Sequence, residues 1–148
     1  MSDDRLAGVR ALVVDDSKPL QIIVKRLLEI SGAAHVDVAD GGTAAAALAP
    51  MGRYDLLLVD IQMPEQDGHE VLARLRQSGV NVPAVAMTAD PSLSERRRCT
   101  ASGFLSCLGK PFTRDELADT VRSALSHKSA DAYADECAGA RADQRAEA

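Results

Sequence analysis

The sequence contains no tryptophan, and aromatic residues make up only 3% of its 148 residues. Hydrophobic residues nevertheless account for 46%, so we expect the core of one ordinary domain, built from aliphatic side chains. Basic residues are outnumbered by acidic ones, which gives a net charge of −5 and a pI of about 5.1. Because a broad nucleic-acid-binding surface requires a basic face, we expect no nucleic-acid partner.

Long apolar segments and paired cysteines are absent as well. No run of residues is apolar over the length that a membrane-spanning helix requires. Residues 1–10 lack the hydrophobic region of a signal peptide. The three cysteines, Cys99, Cys107 and Cys137, are odd in number and lack the spacing of a metal-binding motif. We therefore expect free thiols in a reducing compartment, no membrane partner and a cytoplasmic location.

Short apolar runs alternate with stretches of helical periodicity. The clear runs cover residues 11–14, 55–59, 82–87 and 105–108, and a weaker one covers residues 36–39. The composition of the four clear runs is typical of strands that are buried on both faces of a parallel sheet. Repeated βα units require right-handed crossovers. The pattern therefore predicts an α/β fold with a five-stranded doubly wound parallel sheet in the order 2-1-3-4-5, as in flavodoxin.

Helix starts are marked by capping residues. Ser17 precedes a proline-containing first turn, and three Asp, Ser or Thr residues are each followed three positions later by glutamate, as in a capping box: Asp67–Glu70, Ser92–Glu95 and Thr113–Glu116. Residues 127–148 differ, because Tyr133 is their only large apolar residue and small or charged residues dominate. We assign residues 1–126 to the folded domain and residues 127–148 to a flexible tail rich in alanine and charge.

Charged or hydroxylated residues follow the ends of the predicted strands. They are Asp15, Asp16, Asp60, Thr88 and Lys110. Because sites in open α/β sheets lie at the carboxyl ends of the strands, we expect these side chains to share one crevice. Three crowded carboxylates repel one another unless a cation joins them, and hard oxygen ligands suit Mg²⁺. A lysine and a hydroxyl opposite the carboxylates suit a phosphoryl group.

Together these motifs resemble the receiver domain of two-component response regulators, over roughly residues 9–125. The resemblance is carried by Asp15-Asp16, by residues 60–68 with the sequence DIQMPEQDG, by Thr88-Ala89 and by residues 110–112 with the sequence KPF. Each motif alone is weak, but their order along the chain, with each at a strand end, is specific. Pro64 and Gly68 are predicted to shape a tight loop and to take no part in chemistry.

The resemblance implies a role for each of these residues. Asp60 is expected to accept a phosphoryl group from a histidine kinase or a histidine phosphotransfer protein. Asp15, Asp16, Asp60 and the backbone carbonyl of Gln62 are expected to bind Mg²⁺. Lys110 is expected to pair with the phosphoryl oxygens, and Thr88 to move towards them. N–H groups near Gln62 and Ala89 would complete the cradle, and the Lys110–Pro111 bond is expected to be cis.

One position departs from the family pattern. Receivers usually carry an aromatic residue or histidine three positions before the lysine, whose ring turns inward when the threonine moves, whereas this sequence has Cys107. A small side chain cannot report phosphorylation by a large rotamer change. Arg96–Arg98 lie on the helix that, with the last strand and helix, forms the usual output surface, where we expect a downstream protein partner. The three histidines, His35, His69 and His127, are predicted to be non-catalytic.

Three functions remain open on the sequence alone. The leading prediction is a stand-alone receiver that signals through protein contacts and catalyses only its own phosphorylation and slow autodephosphorylation. The second is a phosphorelay intermediate or the receiver segment of a hybrid histidine kinase. The third is a Mg²⁺-dependent phosphatase on a similar sheet, although such enzymes typically carry Asp-x-Asp and here Asp15 and Asp16 are adjacent.

Overall fold

Five strands alternate with five helices in the computed structural model, which describes residues 5–64, 66–90 and 92–134, and side chains as far as residue 126. The elements are β1 (Arg10–Val14), α1 (Lys18–Ile30), β2 (His35–Ala39), α2 (Gly42–Leu48), β3 (Leu56–Asp60), α3 (Gly68–Gln77), β4 (Ala84–Thr88), α4 (Leu93–Ser102), β5 (Ser106–Gly109) and α5 (Arg114–Ala134). All strand pairs are parallel, in the order β2-β1-β3-β4-β5. The predicted fold class and strand order are confirmed.

Both faces of the sheet are covered, because successive side chains of a strand point to opposite faces. In β3, Leu57 and Val59 join the cluster under α2 and α3, whereas Leu56 and Leu58 join the cluster under α1 and α5. Every residue of β3 and β4 is buried. The expectation of burial on both faces is wrong for β5, an edge strand in which only Leu108 is buried.

The helix starts follow the predicted capping signals with one difference. Ser17 caps α1 with Pro19 in its first turn, and Asp67 forms a reciprocal capping box with Glu70. The Thr113–Glu116 box before α5 is also closed from both sides. At α4 only half of the predicted box forms, because the Ser92 hydroxyl accepts from the Glu95 N–H while the Glu95 carboxylate turns towards α3.

The backbone of α5 continues to Ala134, so it overlaps the predicted tail at residues 127–134. Residues 135–148 lie outside the described residues, and the flexibility of the tail stays a prediction. Among the described residues, no helix has the length and apolar character that crossing a membrane requires.

Candidate functional site

Acidic residues gather at the carboxyl edge of the two central strands. Asp15 and Asp16 directly follow β1, and Asp60 is the last residue of the neighbouring β3. One carboxylate oxygen from each of the three lies within 4.8 Å of the others. The predicted crevice is therefore present, because parallel strands that pair in register end at the same edge of the sheet.

The Asp60 carboxylate is held in place by Lys110 and by the backbone of Gln62. Its side chain is only 4% exposed, and its Oδ1 accepts from the Lys110 ammonium at 3.0 Å and from the Gln62 N–H at 3.2 Å. The first residue of α3 packs closely against the end of β3, since a Cβ on Gly68 would lie 2.6 Å from the Asp60 carbonyl oxygen. The start of α3 thus presses against the strand end and fixes where the Asp60 side chain leaves the sheet.

The Asp15 side chain is fully buried, and only one of its two carboxylate oxygens accepts a hydrogen bond. Its Oδ1 accepts from the Ser17 N–H at 2.9 Å, whereas its Oδ2 accepts no hydrogen bond and lies 3.7 Å from Lys110 Nζ. Burial raises the pKa of Asp15, and the nearby carboxylate of Asp60 acts in the same direction. A buried anionic oxygen without a hydrogen-bond donor is unfavourable, so this position favours a cation.

The acidic cluster has the character of a hard-cation site. Asp16 is exposed and adjoins buried Asp15 and Asp60, so the cluster opens to solvent on one side. All side-chain donors are carboxylates, which Mg²⁺ prefers, and the open side leaves room for the waters that Mg²⁺ keeps. Beside Asp16 lies an open pocket of about 710 Å³, lined among others by Lys18, Asp40 and Met63.

Thr88 ends β4, and its hydroxyl forms hydrogen bonds with the backbone of Asp90. It accepts from the Asp90 N–H at 2.9 Å and faces the Asp90 carbonyl at 3.3 Å. The Gln62 side chain bridges the two strand ends, because its Oε1 accepts from the Ala89 N–H at 3.1 Å. The resemblance assigned that N–H to the phosphoryl cradle, so in this conformation the Gln62 amide occupies it.

One buried polar residue near the site, Gln21, was missed by the sequence analysis. Gln21 is buried in α1, and its amide donates to the Asp15 carbonyl at 2.5 Å and to Asp40 Oδ1 at 2.7 Å. It thereby fixes the chain that carries the acidic pair. A signal was available, since Gln21 shares the inward-facing helical positions of Val24 and Leu28, where a polar residue needs a partner.

The last strand and the helices beside it form a grooved face. Cys107 is half-buried in β5 and lines an open groove of about 570 Å³ together with Arg96, Lys110, Glu116 and Thr120. Lys110 thus borders both the acidic crevice and this groove. The Lys110–Pro111 peptide bond that connects β5 to the last helix is cis, as the resemblance implied.

Comparison with known proteins agrees with this architecture. A family model described as the response regulator receiver domain matches residues 11–122. The response regulator MprA of Mycobacterium sp. (strain KMS) is 37% identical over 123 residues, which cover 83% of this chain and 53% of that protein. The transcriptional regulatory protein TcrA of Mycobacterium tuberculosis (strain H37Rv) is 39% identical over 119 residues, 80% of this chain and 47% of that protein.

The chain therefore spans about half the length of the curated relatives that it matches. Among solved structures, the response regulator protein TrrA of Thermotoga maritima, in complex with Mg²⁺ and BeF, superposes with a TM-score of 0.69 at 29% identity. The superposition covers 78% of this chain and 98% of that one.

Proposed function

This chain belongs to the response regulator receiver domain family, and on that premise we propose that Asp60 accepts a phosphoryl group from the phosphohistidine of a partner protein. The observation that carries the proposal is the contact between Lys110 Nζ and Asp60 Oδ1, 3.0 Å long, within the cluster of three carboxylates. A fixed cation beside one carboxylate of an acidic cluster favours an incoming phosphoryl group at that carboxylate.

Asp60 is better suited to act as the nucleophile than Asp15 or Asp16. The Asp15 carboxylate is fully buried, and one of its oxygens is held by the Ser17 N–H. Asp16 is exposed, and the ion pairs of Lys110 go to Asp15 and Asp60. A carboxylate is already ionised at neutral pH, so Asp60 needs no general base to attack phosphorus.

The proposed step is a displacement at phosphorus. An oxygen of Asp60 bonds to the phosphorus atom, the phosphorus–nitrogen bond of the donor breaks, and the leaving imidazole keeps its electron pair and takes up a proton. The product is an acyl phosphate on Asp60. Lys110 would move its ion pair from the carboxylate to the phosphoryl oxygens, and the Gln62 side chain would have to release the Ala89 N–H.

Mg²⁺ is the cofactor that the acidic cluster fits. Asp15, Asp16 and Asp60 would hold it, with the Gln62 carbonyl as the additional ligand implied by the family. When bound, the ion supplies positive charge that neutralises the transferring phosphoryl group. The buried Asp15 Oδ2, which accepts no hydrogen bond, supports this assignment because a cation would satisfy it.

The proposed partners are a histidine kinase or histidine phosphotransfer protein as donor, and a downstream protein that docks on α4, β5 and α5. The groove beside Cys107 supports the second partner, because Lys110 borders both the groove and the acidic crevice. The cytoplasmic location expected from the sequence stays a prediction. The phosphatase alternative has no support at Asp60, since an Asp-x-Asp motif starting there would need an acid where the chain has Gln62.

The test uses a small phosphodonor and Mg²⁺, with intact mass as the readout. The native chain should gain one phosphoryl mass that hydroxylamine removes, as expected of an acyl phosphate. Asp60→Asn should gain none. Asp119→Asn is the matched control, because Asp119 is an exposed acid on α5 outside the acidic cluster, and it should leave the gain unchanged. A phosphoryl mass on Asp60→Asn would refute the assignment.

We also propose that this chain does not itself bind DNA, although the relatives include a transcriptional regulatory protein. The support is its net charge of −5, because DNA binding rests on neutralising phosphates with basic side chains. Retention of random and selected DNA fragments at near-physiological salt is the measurement. Sequence-selective retention by this chain, phosphorylated or not, would contradict the proposal.

A further inference from the structure

A second group of ligand-type side chains lies between α3 and α4, away from the acidic cluster. His69 Nε2 is 2.9 Å from Glu95 Oε2, and the Cys99 thiol donates to the same oxygen at 3.5 Å. One ligand atom from each of the three residues lies within 4.8 Å of the others. His69 is 8% exposed, the Glu95 side chain 15% and Cys99 1%, so the group is largely sheltered from water.

The inward face of α4 consists of these polar groups. Glu95, Cys99 and Ser102 recur at positions i, i+4 and i+7, which lie on one side of a helix. Cys99 is the only residue of α4 that is fully buried, whereas Leu93 is 63% exposed. Contact with α3 therefore depends on a carboxylate, a thiol and a hydroxyl where most helices present aliphatic side chains.

Glu95 reaches this position because it leaves its predicted capping box. The Ser92 N–H is satisfied by Asp90 Oδ1 at 3.2 Å, so it does not require the Glu95 carboxylate. That carboxylate then faces His69 and Cys99, with the Arg98 guanidinium 4.0 Å from its other oxygen. A half-buried carboxylate is thus aimed at an imidazole and a thiol.

The imidazole of His69 is oriented as in known metal sites. Its Nδ1 lies 2.6 Å from Ser102 Oγ, which fixes the ring and leaves Nε2 on the side of Glu95 and Cys99. Histidine ligands of metals characteristically donate their second ring N–H to a carboxylate, carbonyl or water oxygen, and the Ser102 hydroxyl occupies the corresponding position here. Phe104 packs edge-on against the same ring at a centroid distance of 5.9 Å and shields it from one side.

Cys107 of β5 packs, partly buried, against the side-chain cluster that contains Cys99. The ligand group itself combines one imidazole, one carboxylate and one thiol, contributed by α3 and α4. Borderline and soft donors of this kind select zinc-type cations over Mg²⁺.

We propose that His69, Glu95 and Cys99 form a binding site for a zinc-type divalent cation, with the fourth position left to water. Tetrahedral Zn²⁺ with its usual bond lengths separates neighbouring ligand atoms by about 3.3–3.8 Å. The present distances of 2.9 Å and 3.5 Å need only small side-chain shifts to reach that range. Binding replaces the proton on the Cys99 thiol, which passes to solvent, and the imidazole binds through Nε2 with its proton on Nδ1.

Occupation of this site would hold α4 against α3. Since α3 begins against the Asp60 carbonyl, the cation would bind to an element that also positions the acidic cluster. The site is chemically distinct from that cluster, which offers oxygen ligands only. The inference is therefore independent of the assignment of Asp60 as phosphoacceptor.

The test titrates the reduced, chelator-treated full chain with Co²⁺ in excess Mg²⁺, which occupies the acidic cluster. One equivalent of Co²⁺ should produce a thiolate-to-cobalt charge-transfer band in the near-ultraviolet, and Zn²⁺ should remove it by displacement. Cys99→Ser and His69→Gln should abolish the band. Cys107→Ser should keep the band, because Cys107 lies outside the group of three ligands. Ser102→Ala should weaken Zn²⁺ affinity about tenfold through loss of ring orientation.

Matched controls separate this site from adventitious binding. Cys137→Ser removes the remaining cysteine, and His35→Gln removes a histidine that pairs with Asp37 outside the group. Both variants should keep the band. Circular dichroism checks folding, and if His69→Gln is unfolded, Glu95→Gln is the second variant and should weaken Co²⁺ at least about tenfold. Absence of the band in the native chain, its survival in Cys99→Ser, or its loss in Cys137→Ser would each overturn the proposal.

Discussion

The buried carboxylate of Asp15 gives the sharpest test of the acidic cluster. Replacing it by asparagine keeps an Oδ1 that can accept from the Ser17 N–H and puts an amide donor where Oδ2 now accepts no hydrogen bond. We expect Asp15→Asn to stabilise the metal-free protein at pH 7. We also expect the variant to lose the stabilisation that Mg²⁺ gives the native chain.

The magnitude follows from the distances. With an effective dielectric constant of 20, Lys110 at 3.7 Å attracts the Asp15 carboxylate by about 4.5 kcal/mol. Asp60, within 4.8 Å, repels it by at least about 3.5 kcal/mol, and Asp16 across water adds about 0.9 kcal/mol. These electrostatic interactions nearly cancel. What remains is the cost of burying an oxygen that accepts no hydrogen bond, which is about 1–3 kcal/mol.

The pH dependence has a definite sign. Burial and the Asp60 carboxylate raise the folded-state pKa of Asp15 above its ordinary value of 3.8. The ionised native state is therefore penalised at pH 7, and the penalty disappears as the pH falls through the folded-state pKa towards 3.8. The stability difference between Asp15→Asn and the native chain should shrink over that interval.

Thermal unfolding followed by circular dichroism, with and without Mg²⁺, is the assay. A gain of 1 kcal/mol should raise Tm by about 4 °C in a domain of this size. Mg²⁺ at one hundred times its Kd should stabilise the native chain by about 2.7 kcal/mol and Asp15→Asn by much less. Asp119→Asn is the control of equal charge, since its exposed pair with Arg5 is worth under about 1 kcal/mol. A lower Tm for metal-free Asp15→Asn, or an unchanged Mg²⁺ increment, would refute the reasoning.

Three further outcomes are expected. Asp16→Ala should weaken Mg²⁺ at least about tenfold, or 1.4 kcal/mol, in a calorimetric titration, and unchanged affinity would remove Asp16 from the site. Gly68→Ala should destabilise by about 1–3 kcal/mol in urea, since its Cβ would lie 2.6 Å from the Asp60 carbonyl oxygen. Gly41→Ala is the control, with nothing within 4 Å of the new Cβ, and equal losses would contradict the argument. Tyr54→Phe should cost about 1–2 kcal/mol at pH 7 through loss of the bond to Asp37. Because that bond lowers the pKa of Asp37, the loss of stability should fade as the pH falls through the folded-state pKa of Asp37. A loss of stability that does not change with pH would contradict this explanation.

The sequence by itself determined the architecture and the edge of the sheet where the acids meet. Apolar runs in β3 and β4 are long enough to be buried on both faces, and that burial requires helices on both sides. Capping at Ser17 and Asp67 involves residues three positions apart in the chain, so these caps can be predicted from the sequence alone. Strand ends in a parallel sheet share one edge, so Asp15, Asp60 and Lys110 were predictable as neighbours.

The tertiary structure decided which way individual side chains turn. Asp15 and Asp16 are adjacent and chemically identical, yet one is fully buried beside Lys110 and the other is exposed. The Gln62 amide reaches the Ala89 N–H across a strand pair, over a separation of 27 residues.

Glu95 is the clearest case of a local signal that tertiary contacts replaced. Its spacing from Ser92 predicts a capping box, but the partner that it contacts is His69, 26 residues away on α3. A cap contributes only about 1 kcal/mol, so a competing buried partner can redirect the carboxylate. Such choices depend on distances between elements that the chain order does not contain, and they are settled only when α3, α4 and β5 pack together.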